Sequence, residues 1–386
     1  MGERSGWTRR GFLSARGLGA MSGGLLGELV SDTSFSFLSE NRTVLQLSMA
    51  RRAMGCEFSV QLPAACPDGL NAGEAALDEI EEMERLLTVY ADDSDAAYLN
   101  RHAAARPVRT DGRFFALLAR SVELHRLTEG AFDVATHALL TAWGFFKGPR
   151  RVPDEPQRRA ALACSGMRFV ELAPADRTVR YLAEGVGINF GSIGKGYGID
   201  RAIARLRDRG GLESILLQGG LSSVRAVGSP GRDGQGWRVG LQDPTDRRRR
   251  LATVRLIDRA MGTSGIDQQS FEVGGRRFGH ILDPRTGWPV EPLASASAVA
   301  ADAATADALA TAFFVMGLDK TRIFCQNHPD IGALLVLRPD DRLAGEAERR
   351  GGLERRSVTR PQVVTFNLSA RDVKFEPADA GRCRPM

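Results

Sequence analysis

The most informative stretch of the sequence is a glycine-rich segment. It reads Gly185-Val186-Gly187-Ile188-Asn189-Phe190-Gly191-Ser192-Ile193-Gly194-Lys195-Gly196-Tyr197-Gly198-Ile199-Asp200. Glycines allow a backbone to approach a ligand closely and to turn its N–H groups toward anionic oxygens. A lysine adds a positive point charge, and Lys195 is one of only four lysines among the 52 basic residues. The segment therefore predicts a loop that enters a helix and contacts a pyrophosphate.

The two common phosphate-binding motifs do not fit this segment. A P-loop requires Gly at the position of Asn189 and Ser or Thr at the position of Gly196. A dinucleotide-binding fingerprint that starts at Gly185 requires Gly where Phe190 stands. A glycine-rich packing loop without a ligand is the alternative. The presence of a rare lysine in the loop favours phosphate contact.

The elements around the segment mix strands and helices without a regular βαβ order. Apolar spacing predicts helices over residues 71–87, 111–127 and 305–316 and strands within 44–63 and at 215–218, 237–241, 254–257 and 280–282. This order favours an α+β fold, with mixed sheets and packed helices, over a doubly wound parallel sheet.

The net positive charge of the chain does not indicate nucleic-acid binding. The 386 residues carry a formal net charge of +5. Residues 1–40 are neutral overall, while residues 338–386 hold eleven basic and eight acidic side chains. Little net charge remains for the body, and binding to a phosphate backbone needs clustered charge. We therefore expect no nucleic-acid partner.

The N-terminus resembles a bacterial export signal. Thr8-Arg9-Arg10-Gly11-Phe12-Leu13 is a twin arginine before a weakly apolar stretch; an accidental arginine pair is the alternative. We expect residues 1–40 to be a signal and linker, residues 41–337 a folded domain, and residues 338–386 a charged C-terminal extension. The protein would then be exported to the periplasm or the outer face of the cytoplasmic membrane. No apolar run long enough for a transmembrane helix occurs in the sequence.

A histidine near an Asp-Pro turn is a candidate catalytic base. His280 precedes Ile281-Leu282-Asp283-Pro284, and only five histidines occur in the chain. Loops and strand ends are where folds present catalytic groups, and an imidazole accepts protons near neutral pH. The alternative is a structural histidine.

An acidic and a hydroxyl side chain share one face of a predicted helix. Asp307 and Thr311 are four residues apart in an otherwise Ala-rich and Leu-rich segment. Two hard oxygen ligands suit Mg²⁺, which takes its other ligands from phosphate or water. The alternative is an Asp that interacts with the helix dipole and a Thr that bonds back to the helix.

Taken in order, these motifs resemble the ApbE family of FAD:protein FMN transferases. The resemblance runs from about Met54 to Gly317. It rests on Met54-Gly55, Ser94 with Leu99-Asn100, 130–133, Lys195-Gly196-Tyr197 with Asp200, Thr263-Ser264-Gly265, 280–287 and 306–311. Several ordered blocks make the resemblance specific, whereas any one of them alone would not.

The resemblance implies a bacterial flavin transferase that binds FAD in a cleft of residues 41–337. Such an enzyme moves the FMN part of FAD onto a Thr or Ser hydroxyl of a partner protein, a membrane or periplasmic redox protein, and releases AMP. His280 would be the base, and Mg²⁺ would be held by Ser192 (through its carbonyl), Asp307 and Thr311. The implied FAD site consists of Met54, Tyr90, Ala131, Phe132, Asp133, Asn189, Lys195 and Ile281.

The sequence departs from the family pattern at three positions. Asn189 stands where the family usually has Asp, Leu221 follows Gly219-Gly220 where the family has Asp or Asn, and Cys56 replaces a Thr. Two alternatives to transfer therefore stay open. One is an FAD pyrophosphatase that forms FMN and AMP, and the other is a non-catalytic protein that binds or delivers flavin.

Overall fold

The computed structural model describes residues 45–208, 212–231, 234–265, 269–290, 293–338 and 361–376. The helices are α1 (Gly69–Leu87), α2 (Asp95–His102), α3 (Gly112–Leu127), α4 (His137–Ala142), α5 (Glu155–Ala163), α6 (Gly194–Arg207) and α7 (Ala303–Asn327). None of the helices in these ranges is long and apolar enough to cross a bilayer. The expected export signal, residues 1–40, lies outside the described ranges.

The strands form one large and three small sheets. They are β1 (Gln46–Ala53), β2 (Cys56–Pro63), β3 (Val108–Arg109), β4 (Val170–Ala173), β5 (Thr178–Tyr181), β6 (Ile215–Gly219), β7 (Ser223–Val227), β8 (Trp237–Asp243), β9 (Asp246–Leu256), β10 (Ala260–Gly265), β11 (Ser270–Val273), β12 (Arg276–Gly279), β13 (Ser295–Ala300), β14 (Gly332–Val336), β15 (Val363–Phe366) and β16 (Val373–Phe375). The large sheet has the order β1-β2-β6-β7-β10-β13-β14-β15. Every neighbouring pair in it is antiparallel, which confirms the α+β prediction.

The large sheet is covered on both faces, so its central strands are mostly buried. Helices α1, α6 and α7 pack on one face, and α3, which packs against α7, completes the larger core. The three-stranded sheet β16-β9-β8 packs on the other face, where Trp237 and Val254 meet Leu216 and Val299 of the large sheet. Strand β13 accordingly reads Ser-Ala-Ser-Ala-Val-Ala with every residue buried, as expected for a strand that is covered on both sides.

Helix α7 is fixed at its N-terminus by carboxylates, and this places its first turns under the cleft described below. The Asp302 side chain caps the helix by accepting a hydrogen bond from the Thr305 amide at 2.7 Å. Asp200 of helix α6 accepts hydrogen bonds from the amides of Ala303 and Ala304, both at 2.9 Å. Burial raises the pKa of Asp200 to about 6, while the ion pair with Arg225 opposes that shift. The two helices are thus joined through buried polar contacts.

The predicted helices are confirmed, while one predicted strand is wrong. Residues 71–87, 111–127 and 305–316 lie within α1, α3 and α7 almost entirely. Residues 280–282 were predicted as a strand, but β12 ends at Gly279 and only a single bridge joins Leu282 to Pro289. The cause is the tight turn that follows, in which the Asp283 side chain accepts the Arg285 amide at 2.9 Å.

Part of the expected C-terminal extension belongs to the sheets. Within residues 338–386, strand β15 pairs with β14 at the edge of the large sheet and β16 pairs with β9. Between the two strands, the Asn367 side-chain amide donates to the carbonyls of Cys325, Ile331 and His328 at 2.7 to 3.0 Å. These hydrogen bonds satisfy carbonyls at and just after the C-terminus of α7. The charged composition hid these strands, because their side chains are only partly buried.

A glycine permits the close approach of α7 to the large sheet. A Cβ added at Gly262 of β10 would lie 2.5 Å from the Ala306 carbonyl and 2.6 Å from the Asp307 amide. We expect Gly262→Ala to lower the free energy of unfolding by about 3 kcal/mol, since backbone atoms cannot move aside as a side chain can. Chemical denaturation measures this loss. Gly279→Ala is the control, because its Cβ would meet no atom within 4 Å, and an equal loss in both variants would contradict the packing argument.

Candidate active site

One cleft of about 810 Å³ opens between the helices and one end of the large sheet. This volume lies within the range of small-molecule and cofactor sites. The residues that line it come from eight parts of the chain. These are the β1–β2 turn, the end of α1 with the loop after it, residues 131–145, the glycine-rich segment, the β6–β7 turn, the end of β10 with Gln269, the segment that follows β12, and the first turns of α7. The motifs that the sequence analysis identified are therefore brought together at one site.

The β1–β2 turn presents Met54 to the cleft. Met54 and Gly55 have φ angles of 49° and 73° and join paired residues Ala53 and Cys56 as a two-residue hairpin loop. A positive φ is uncommon for Met. The Met54 methyl lies 3.1 Å from where a Cβ of Gly198 would be. Gly198 therefore leaves the space on α6 into which Met54 packs.

The glycine-rich segment is held by asparagine side chains, and it leads into α6 as predicted. Asn100 of α2 bonds both the amide and the carbonyl of Ile188 at 2.9 Å. The Asn189 side chain accepts the Gly191 amide at 2.8 Å. Lys195 is the second residue of α6, lines the cleft, and makes no side-chain hydrogen bond or ion pair with a described residue. An ammonium at a helix N-terminus forms a favourable environment for an anionic ligand.

Asp307 and Thr311 lie beneath this helix terminus. The Asp307 Oδ2 accepts the Gly196 amide at 2.8 Å and the Ser223 hydroxyl at 2.9 Å, whereas Oδ1 accepts no hydrogen bond from the described residues. Burial raises the pKa of Asp307 to about 6, and the nearby Lys195 opposes that shift. The Thr311 hydroxyl lies 3.0 Å from that of Ser264. A buried carboxylate with one unused oxygen has the character of a cation ligand.

The donor set fits Mg²⁺ better than a softer metal. Ser192 lines the same cleft as Asp307, and its carbonyl accepts no backbone hydrogen bond from a described residue. No three His, Cys, Asp or Glu side chains converge as a metal site within the described ranges. One carboxylate, one hydroxyl and one carbonyl form a hard and incomplete set, as expected for an ion that shares its coordination with phosphate or water.

His280 is held with one ring nitrogen directed to the backbone. Its Nδ1 lies 3.1 Å from the Gln269 carbonyl. A carbonyl can only accept, so Nδ1 carries the proton and the neutral ring keeps its free lone pair on Nε2. Burial lowers the pKa of His280 below its ordinary value, and the charges of Lys195 and Arg150 act in the same direction although the Gln269 bond opposes them. The ring therefore lines the cleft as a neutral base.

The remaining predicted FAD-site residues differ in what they offer the cleft. Tyr90 is 57% exposed, and its ring centre lies 5.2 Å from that of Phe146. Much of the Tyr90 ring is therefore accessible at the mouth of the cleft. Ala131 and Ile281 supply buried apolar surface. The Asp133 carboxylate accepts the Ala135 amide at 2.7 Å and the Met167 amide at 3.0 Å, and it also pairs with His125. It therefore shapes the wall rather than offering a free charge.

Phe132 does not line the cleft. Its side chain is fully buried in the larger core, so a role of this side chain at the FAD site is not supported. The reason is the alternation around the loop: Ala131 and Asp133 face the cleft, and Phe132 between them points into the core. Residues 131–133 form one continuous block in the sequence, and no local pattern distinguishes the side chains that face the cleft from the one that faces the core.

Two residues that the sequence analysis did not single out support the site. Ser223 donates to Asp307, and Gln269 orients His280 through its carbonyl. The hydroxyl of Ser223 had no distinctive spacing relative to Asp307, because 84 residues separate them. The contribution of Gln269 comes from its backbone, which no side-chain motif reveals.

Comparison with known proteins agrees with this geometry. The chain matches the model of the ApbE family over residues 54–335. An FAD:protein FMN transferase of Treponema pallidum is 33% identical over 291 residues, which cover 71% of this chain and 80% of that protein. The Haemophilus influenzae FAD:protein FMN transferase is 28% identical over 309 residues, with coverages of 76% and 87%.

Solved structures give the same result for the fold. The crystal structure of the ApbE protein from Thermotoga maritima has a TM-score of 0.70 at 29% identity and covers 76% of this chain and 94% of that chain. The flavin transferase ApbE from Vibrio cholerae has a TM-score of 0.68 at 26% identity, with coverages of 77% and 95%. The sequence match spans most of the cleft-forming residues, and the chain belongs to the ApbE family.

Proposed function

We propose that the protein is an FAD:protein FMN transferase that moves FMN from FAD onto a Thr or Ser hydroxyl of a partner protein and releases AMP. The observation that carries the proposal is the convergence of three groups on one cleft: a neutral His280, the ammonium of Lys195, which has no ion-pair partner among the described residues, and the buried carboxylate of Asp307. These are the groups that attack on a diphosphate requires: a base, a positive charge and a cation ligand.

His280 acts on the acceptor. Its Nε2 takes the proton of the acceptor hydroxyl while the oxygen attacks the phosphorus of the FMN half. A new oxygen–phosphorus bond forms, and the bond from that phosphorus to the bridging oxygen breaks. The bridging oxygen and the electron pair leave with AMP. The Gln269 carbonyl stabilises the imidazolium that results, because it accepts the Nδ1 proton throughout.

Lys195 and the first turn of α6 stabilise the diphosphate. The ammonium faces the cleft without a partner among the described side chains, so it is available to offset charge that develops on the leaving phosphate. The Mg²⁺ that we propose would be held by Asp307, Thr311 and the Ser192 carbonyl, and when bound it supplies further charge neutralisation. Tyr90 and Met54 offer aromatic and thioether surface for the flat rings of FAD.

A single reaction mixture tests the proposal. It contains the protein, FAD, Mg²⁺ and a peptide with one Thr, and chromatography follows AMP, FMN and the peptide. We expect AMP to appear together with a flavin-labelled peptide. AMP and free FMN without labelled peptide would indicate a pyrophosphatase. FAD binding without AMP would leave a flavin-binding protein, and the absence of both would contradict the site itself.

The pH dependence of the rate follows from the depressed pKa of His280. Burial lowers that pKa below the ordinary value of 6.5, so the neutral base is present at pH 7 and is lost only as the pH falls through a lower value. At saturating Mg²⁺, we expect kcat to have an acidic limb with its midpoint below pH 6.5. A stopped assay across pH 5 to 8 measures it, and a midpoint at or above pH 7 would contradict the assignment.

We also propose that the enzyme acts outside the cytoplasmic membrane. The twin arginine at Arg9 and Arg10 supports this location, and an exported acceptor would be a membrane or periplasmic redox protein. Replacement of both residues by Lys should move the protein from the periplasmic to the cytoplasmic fraction in a bacterial host. An unchanged distribution of the variant would contradict twin-arginine export.

A further inference from the structure

A group of exposed basic side chains borders the His280 side of the cleft. It lies on two segments, the loop after α4 and the β11–β12 hairpin. We call it the basic rim, and it consists of Lys147, Arg150, Arg151 and Arg276, all of which are exposed. The only acidic side chain among residues 145–151 and 269–280 is Glu272. The rim therefore carries a concentrated positive charge, although the body of the chain is nearly neutral.

The two segments of the rim are joined to each other and to the catalytic base. The Arg150 guanidinium donates to the Ser270 carbonyl at 2.8 Å. Ser270 follows Gln269, whose carbonyl holds the His280 ring. Phe145 lies 6.4 Å from the His280 ring and 5.6 Å from Phe271. The rim is thus a defined surface beside the base and not a set of scattered charges.

Aromatic rings support two of the rim cations. The Lys147 ammonium lies 5.2 Å from the centre of the Phe146 ring, and the Arg276 guanidinium lies 5.1 Å from that of Phe278. Phe146 also packs against Tyr90 at the mouth of the cleft. Cation–π contacts hold both charges at the surface without neutralising them. Neither side chain forms an ion pair with a described carboxylate, so both charges are available to a partner.

The acceptor must cover this surface if the proposed function is correct. Its hydroxyl must meet Nε2 of His280, and extended chain spans about 3.3 to 3.6 Å per residue. Residues within about five positions of the hydroxyl therefore reach the neighbouring rim. We propose that the basic rim binds acidic side chains that flank the acceptor hydroxyl, so that the preferred substrate is a Thr or Ser within an acidic segment.

Three peptides with the same central Thr test this inference, which rests on the proposed function. Their flanks are acidic, neutral (Gln and Asn) or basic. At low ionic strength, we expect kcat/KM for the acidic peptide to exceed that for the neutral peptide by about 10-fold, and the difference to shrink with added salt. Equal values for the acidic and neutral peptides would overturn the proposal.

Charge variants locate the preference on the rim. Lys147→Gln with Arg276→Gln should remove most of the preference through KM, whereas kcat should stay unchanged. Lys147→Glu with Arg276→Glu should favour the basic peptide. The matched control is Arg205→Gln with Arg207→Gln, which removes the same charge from exposed positions at the far end of α6, about 15 Å or more from Lys195. An equal loss of preference in the control pair would overturn the proposal.

Binding without turnover separates this inference from the proposed function. Fluorescence anisotropy of each labelled peptide on the FAD complex of the His280→Ala variant should give the same order of affinities. If no peptide is modified by the wild-type protein yet the acidic peptide still binds through the rim, the proposed function fails and the rim assignment holds. A membrane role is the other outcome. If the protein binds vesicles rich in anionic phosphatidylglycerol, loses that binding when Lys147 and Arg276 are replaced, and shows no preference among the peptides, the rim is a membrane-binding surface and the inference is overturned.

Discussion

Replacement of His280 by Ala is expected to lower the rate of FMN transfer by about 10² to 10⁴-fold, the contribution typical of a positioned general base. FAD binding should stay within about 3-fold of the wild-type value, because Lys195, Tyr90 and the α6 terminus are untouched. Steady-state transfer kinetics and flavin fluorescence titration measure the two quantities. The loss should appear in kcat.

Two further variants make this result specific. His280→Gln keeps a hydrogen-bonding side chain but offers no basic nitrogen, so it should be as inactive as His280→Ala. His102→Ala removes a histidine whose ring centre lies 4.4 Å from that of Tyr98, away from the cleft, and should leave the rate unchanged. Transfer at more than about a tenth of the wild-type rate in both His280 variants would remove this residue as the base.

Replacement of Asp307 by Asn should weaken Mg²⁺ binding by at least about 10 to 100-fold, since even the loss of an outer-shell partner of a metal ligand has an effect of that size. Asn keeps an oxygen for the Gly196 amide and the Ser223 hydroxyl, so the change removes the charge and largely preserves the shape. The Mg²⁺ concentration that gives half-maximal transfer measures the effect. An unchanged requirement would contradict the proposed metal site.

The same variant should be more stable than the wild-type protein when Mg²⁺ is absent. Burial raises the pKa of Asp307 from 3.8 to about 6, so ionisation of this carboxyl opposes folding, and the cost grows as the pH rises through that interval and is complete above it. At about 1.4 kcal/mol per pKa unit, removal of the charge contributes up to about 3 kcal/mol at pH 7. Denaturation at pH 7 and pH 5 should show a gain that falls to about half at the lower pH, because pH 5 still lies within that interval.

The residues of the cleft could be named from the sequence because most of them lie in short motifs with distinctive residue types or spacing. Lys195 follows from its rarity within a glycine-rich segment, and Asp307 and Thr311 follow from a spacing of one helical turn. Their convergence on one site could be expected only from the family resemblance. The periodic helices α1, α3 and α7 were also predictable, since α1 and α3 each bury one apolar face and α7 buries most of its first four turns.

Other features depended on tertiary contacts that no local pattern contains. Strands β15 and β16 lie in a charged segment, and only their pairing partners identify them as strands. The contribution of Gln269 to the site is a backbone carbonyl, which any residue possesses. Phe132 belongs to the core because of the path of its loop. Sequence patterns therefore predicted the chemistry of the site better than the contacts that position it.

The mass of an acceptor peptide after incubation with the protein, FAD and Mg²⁺ tests the central claim most directly. Transfer joins the peptide oxygen to the phosphorus of FMN and releases AMP, so the peptide should gain the mass of FMN less one water. The gain should map to its single Thr and should be absent when that Thr is replaced by Val. An unmodified peptide in a mixture where AMP and free FMN accumulate would contradict the account.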